Sequence, residues 1–160
     1  MYMGGVDMLI IILSLIFFFI DYLSKYLIIH KMPLGISSKV INNFFYITHI
    51  NNEGAAFSIL NGKTIFLIVI SIIVIILLLN YVRKNSIKDK LSIISISLVI
   101  GGSLGNLFDR ITKGYVVDFL DFHIFGYNFP IFNIADTFIT VGVFLLFIVL
   151  NRKEKKDGSR

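Results

Sequence analysis

Residues Thr64 to Val82 read TIFLIVISIIVIILLLNYV, a stretch with no charged side chain. A bilayer core is spanned by about 20 consecutive, mostly apolar residues in helical form. This segment meets that length and decides the class of fold. Working outward, Leu91 to Phe108 (LSIISISLVIGGSLGNLF) is uncharged until Asp109. Met8 to Ile29 begins with the pure run MLIIILSLIFFFI and carries Asp21 and Lys25 near its far end. Pro130 to Leu150 holds one charge, Asp136. The expectation is an integral membrane, all-α protein with transmembrane helices over about 8–29, 64–82, 91–109 and 130–150. The chain of 160 residues forms a single domain, 1–160, with a disordered tail from about 152 to 160.

Composition agrees. Hydrophobic residues make up 56% and charged residues 16%, where a soluble domain has about 45–50% and about 25%. Mean hydropathy is +0.86. These values exclude a soluble enzyme, a disordered chain and a fibrous protein. There is no cysteine, so disulfides, a thiol nucleophile and CxxC metal sites are excluded. Residues 1–24 contain no Lys or Arg and no A-x-A site follows, so the first segment reads as a retained anchor, not a cleaved leader.

The net charge of +5 is distributed by side. Four spans put both termini on one side. That side holds Arg83, Lys84, Lys88, Lys90, Arg152, Lys153, Lys155, Lys156 and Arg160, nine residues, against Lys31, Lys39, Lys63 and Lys113, four, on the other. Basic residues accumulate in the cytoplasm, so both termini are expected there. The charges are then topology signals, and nucleic acid is not expected as a partner.

Both exterior connections are long, and function tends to sit on such loops. In the first, FFYITHI (Phe44 to Ile50) is aromatic and β-branched, which predicts a small antiparallel extracytoplasmic β-sheet on the membrane surface. The second, Arg110 to Phe129, reads as an exterior loop containing VVDFLDF and FGYNFP.

Polar residues at membrane depth carry the functional signal, because a charge at the bilayer centre costs ~2.5–3.5 kcal/mol or more. Asp21 and Lys25 share a helix face. They read as a structural salt bridge near the interface with Lys25 snorkelling outward, while a Ser/Lys mechanism stays open. Asn106 and Arg110 share a face at the end of the third helix, after GGSLG, whose small residues suit close helix packing. Arg110 could hold a carboxylate or a peptide carbonyl, or cap the helix. Asp121 reads as a solvated loop acid. Asp118, between Val117 and Phe119, reads as partly desolvated, which raises its pKa.

Thr137 to Leu150 is 14 residues, so at ~21 Å of helix in a ~30 Å core Asp136 lies roughly 9 Å below the outer surface. It must face protein or water. Asn133 lies nearly one turn earlier. Two acids on adjacent elements can share a proton, activate water and protonate a leaving amine. They can equally form a proton relay or cation site. Asn52-Glu53-Gly54 reads as a turn or as a peptide contact. His30, His49 and His123 are scattered, and no metal is expected.

Five motifs occur in order: Asp21-Tyr22-Leu23-Ser24-Lys25, Asn52-Glu53-Gly54-Ala55-Ala56-Phe57, Gly105-Asn106-Leu107-Phe108-Asp109-Arg110, Val116-Val117-Asp118-Phe119 and Phe132-Asn133-Ile134-Ala135-Asp136. Together they resemble the bacterial lipoprotein signal peptidases, the signal peptidase II family. The resemblance implies a multi-pass aspartic endopeptidase of the bacterial cytoplasmic membrane, active toward the exterior face. Its substrate would be a prolipoprotein cut before a diacylglyceryl-modified cysteine. It implies Asp118 and Asp136 as the catalytic pair. Asn52, Gly54, Asn106, Arg110, Asn133 and Ala135 would line the site, with Asp21, Lys25 and Asp109 as structural neighbours. It implies no cofactor, contact with membrane lipids, binding of globomycin-type cyclic peptides, and action as a monomer. Many members carry Arg just before the motif Asn; here Asn51 stands there, and Glu53 adds a negative charge.

Overall fold

The computed structural model describes residues 4–54, 60, 62–85 and 87–157. The motif residues Ala55, Ala56 and Phe57 lie outside the described residues. The elements are α1 (Gly5–Lys31), β1 (Ser37–Ile41), β2 (Phe45–Asn52), α2 (Thr64–Lys84), α3 (Lys90–Lys113), β3 (Val116–Ile124), β4 (Tyr127–Asn128) and α4 (Ile134–Asp157). All four helices are long and apolar enough to cross a membrane.

Helix α3 is the axis of the bundle. Of its most apolar window 72% is buried, against 17% for α1, 11% for α2 and 17% for α4. The other three helices pack on it, and their outward Leu, Ile and Phe residues are exposed. That pattern suits a solvent of lipid, where apolar surface need not be hidden. Small residues let the helices close up. A Cβ on Gly102 would stand 2.5 Å from the carbonyl oxygen of Ala135, and one on Gly105 would collide with the Asp21 carboxylate. Helix α3 starts at Asp89, whose side chain accepts the Ser92 N–H at 2.8 Å, a regular N-cap.

At one end of the bundle lies a four-stranded antiparallel sheet, in the order β1-β2-β3-β4. The chain order of the helices puts both termini at the opposite end. In the second connection, expected as a loop, residues 116–124 are instead the longest strand. It pairs with β2 from Phe45↔Phe122 to Asn52↔Val116, with a bulge between Ile47 and Ile50. The pairing partner lies far away in sequence, so the strand was hidden from a local reading.

Two helix ends also differ from expectation. Helix α4 begins at Ile134, not near 130. Pro130 favours extended backbone before it, and Phe132 forms a β-bridge with Leu120. At its other end α4 runs to Asp157, over positions expected to be a disordered tail. Lys and Glu are good helix formers, and no Gly or Pro stands between Arg152 and Asp157.

Candidate active site

The sheet end of the bundle gathers the polar residues that stand out in the sequence. Helix α4 opens with a reciprocal cap. The Asn133 side-chain oxygen accepts the Asp136 N–H at 3.0 Å, and the Asp136 carboxylate accepts the Asn133 N–H at 3.2 Å. This is a capping box in which Asn and Asp play the usual Ser/Thr and Glu parts. It holds Asp136 in the first turn, facing the positive end of the helix dipole.

The same Asn133 side chain reaches the second acid. Its amide nitrogen donates to Asp118 Oδ1 at 2.6 Å and to Asn106 Oδ1 at 3.2 Å. Asn106 donates in turn to Asp136 Oδ1 at 2.7 Å. The other Asp118 oxygen accepts the Asn52 amide at 2.8 Å. Asp118 and Asp136 are thus tied together through two asparagines and border one cavity.

Lys25 sets the direction of this network. An ammonium only donates, and it donates to Asn106 Oδ1 at 2.9 Å. Asn106 must therefore turn its NH2 toward Asp136. Lys25 is 1% exposed, so the expectation that it snorkels outward is wrong. Two acids hold it inside: Asp21 at 2.8 Å and Asp109 at 3.3 Å. A buried charge is tolerable only with such partners. Asp21 also accepts the Ala135 N–H at 2.8 Å, which joins α1 to the start of α4. Asp109 accepts from Lys113 at 2.7 Å and from the Val117 N–H at 3.2 Å, which joins α3 to β3. Arg110 donates to the Gly54 carbonyl at 2.9 Å, the peptide-carbonyl option of the sequence reading.

Asp118 is 1% exposed. Both its oxygens accept amide N–H groups, which favours the anion. Burial outweighs this and, with the nearby Asp136 charge, pushes its carboxyl up to about 7. Asp121 also departs from expectation. It is 8% exposed, accepting the Thr48 hydroxyl at 2.6 Å and pairing with His123 at 3.0 Å. It is a structural tie between β2 and β3, away from the two linked acids. Asn51 is exposed and pairs with Val117 in the sheet register.

A cavity of about 450 Å³ borders Asn52, Asp118 and Asp136 and continues along α4 past Thr137 and Thr140 to Val141. Phe129 and Phe132 form part of its wall. The sequence reading passed over Thr137 and Thr140. Their signal was spacing: hydroxyls one and two turns beyond Asn133 on a membrane helix.

The signal peptidase (SPase) II sequence model matches residues 13–152 of this chain. The chain belongs to the signal peptidase II family. The lipoprotein signal peptidase of Staphylococcus aureus strain JH9 is 44% identical over 160 residues, covering 97% of this chain and 96% of that one. The protein of strain Newman gives the same values. A solved structure of a bacterial membrane enzyme superposes with a TM-score of 0.85 at 41% identity, covering 97% of this chain and 93% of its own. Another gives 0.80 at 42%, covering 93% and 94%. Membership in the signal peptidase II family accords with a bundle of four membrane-length helices and a small antiparallel sheet.

Proposed function

We propose that this chain is an aspartic endopeptidase of the bacterial membrane that removes signal peptides from prolipoproteins, cutting before a diacylglyceryl-modified cysteine. Asp118 and Asp136 are its catalytic pair. The observation that carries this reading is the tie between them: the Asn133 amide bonds the Asp118 carboxylate and Asn106, Asn106 bonds the Asp136 carboxylate, and both acids border the same cavity.

Close carboxylates share a proton. Asp118, buried and raised to about 7, holds it. Asp136 serves as the base: it takes a proton from water as the water oxygen attacks the scissile carbonyl carbon. Asp118 gives its proton to the carbonyl oxygen. When the tetrahedral intermediate collapses, the C–N bond breaks and the departing amine takes the proton from Asp136. Asp118 regains its proton from the diol as the new carboxyl forms. Asn52 and Asn133 orient Asp118, Asn106 orients Asp136, and Arg110 holds the backbone at Gly54. Ala135 anchors the start of α4 on Asp21, while Lys25 and Asp109 complete the buried ion cluster.

The cavity along α4 suits an unwound segment of a substrate helix, because irregular backbone at membrane depth requires a protein-lined cavity. Globomycin-type cyclic peptides compete for the same space. The active end faces the exterior, and the chain works as a monomer. The test is a gel-shift assay with purified protein and a synthetic diacylglyceryl prolipoprotein. Asp118→Asn and Asp136→Asn are each expected to lower cleavage by on the order of 10³ or more with helicity unchanged. Turnover near wild type in either folded variant refutes the pair.

A further inference from the structure

The β3–β4 hairpin has a tip that the peptidase reading leaves without a role. Its two central residues, Phe125 and Gly126, have φ of 50° and 80°, as a type I′ turn requires. Asn or Asp normally fills the first of these positions, since a bulky side chain is disfavoured at positive φ. Phe125 occupies it nevertheless and is 105% exposed, so no contact among the described residues compensates for the conformation. Ile124, Tyr127 and Phe129 beside it are also exposed. From residue 122 to residue 135 there is no Asp, Glu, Lys or Arg.

The fold places this tip at a definite level. Strand β3 starts three residues after the end of α3 and is bridged at Leu120 to Phe132, two residues before α4. The Phe132 ring also lies 5.8 Å from Phe122 and 5.8 Å from Phe129. Both ends of this part of the strand are therefore pinned at the same boundary of the bundle, and the strand lies along it. The tip follows five residues after the Leu120–Phe132 bridge, and α4, which starts at the same boundary, carries exposed Phe144 and Phe147. An exposed tip without formal charge thus stands at one end of a bundle of membrane-length helices.

We propose that the Phe125–Gly126 hairpin tip is an interfacial anchor whose partner is the headgroup–acyl boundary of the bilayer leaflet at the sheet end. Amphipathic and aromatic groups favour that layer. Contact with it offsets the cost of Phe125 at positive φ. The anchor holds the sheet, and with it Asp118 on β3, at a set depth relative to α4.

The chain has no tryptophan, so Phe125→Trp introduces a single reporter, and its reading is independent of peptidase activity. The full-length protein is placed in phosphatidylglycerol/phosphatidylcholine vesicles whose chains carry bromine either near the glycerol or near the chain end. The introduced indole is expected to emit to the blue of tryptophan in water and to lose more intensity with the shallow bromines. Phe144→Trp, on the membrane helix, calibrates the deep position. Emission like that in water, unquenched at both depths, overturns the proposal. So does quenching that appears only when prolipoprotein is added or when protein density rises, since the tip would then dock substrate or a second copy. A second pair guards against misfolding. Phe125→Asn suits the turn better than Phe, and in a Tyr127→Trp background it is expected to shift emission to the red and reduce shallow quenching. Unchanged quenching there removes Phe125 from the anchor.

Discussion

At the scale of single residues, the site is a balance of opposed electrostatic effects on Asp118. Burial and the Asp136 charge raise its carboxyl to about 7, against two amide N–H bonds. For a carboxyl raised on folding, the folded state binds the extra proton between the ordinary range near 3.8 and about 7. Stability is therefore expected to fall as pH rises through that window and to stay lower above it. Thermal unfolding in detergent at several pH values checks this, and Asp118→Asn is expected to flatten the slope across that window. In the proposed mechanism, cleavage follows the same proton. It is expected to decline above pH ~7, where the pair loses the proton it must donate. Lys25 gives a second test. Lys25→Met leaves Asp21 and Asp109 buried without their shared cation, which is expected to cost ~3–5 kcal/mol. An unchanged melting temperature would show that the ion cluster does not hold the bundle.

At the scale of elements, the helices were legible because lipid imposes one rule along the whole of a span: apolar side chains throughout, with exceptions only for function. The charged residues that broke the rule, Asp21, Lys25 and Asp136, are all found at the sheet end. Their pairings were not legible. That Asn133 caps α4 and also bonds Asp118 depends on a strand 15 positions upstream. Strand β3 was missed because it alternates poorly, and its neighbour β2 lies across two helices of sequence. Asp121 was misread for the same reason: its partner Thr48 is 73 positions away. The glycines of α3 were read for close packing, and that role is testable. Gly102→Ala is expected to cost ~1–3 kcal/mol and to reduce cleavage, because it pushes Ala135 and the start of α4 away from α3. Gly5→Ala, at a place where an added Cβ meets nothing within 4 Å, is the matched control.

At the scale of the whole molecule, a buried axis, three lipid-facing helices and a sheet at one end give the chain two unlike ends. The distribution of Lys and Arg predicts which end is inside. A fluorescent protein fused after Arg160 is expected to fold and glow in cells, while alkaline phosphatase at the same place stays inactive; the reverse pattern would invert the molecule. The reciprocal cap of α4 has a consequence for selection. One asparagine starts a membrane helix, binds one acid and orients the other. A mutation that shifted Asp136 would also unpick the helix start, so change at Asn133 or Asp136 demands simultaneous compensating changes. Drift in sequence has freer routes through wall residues such as Phe129 and Val141, whose alteration leaves that knot tied.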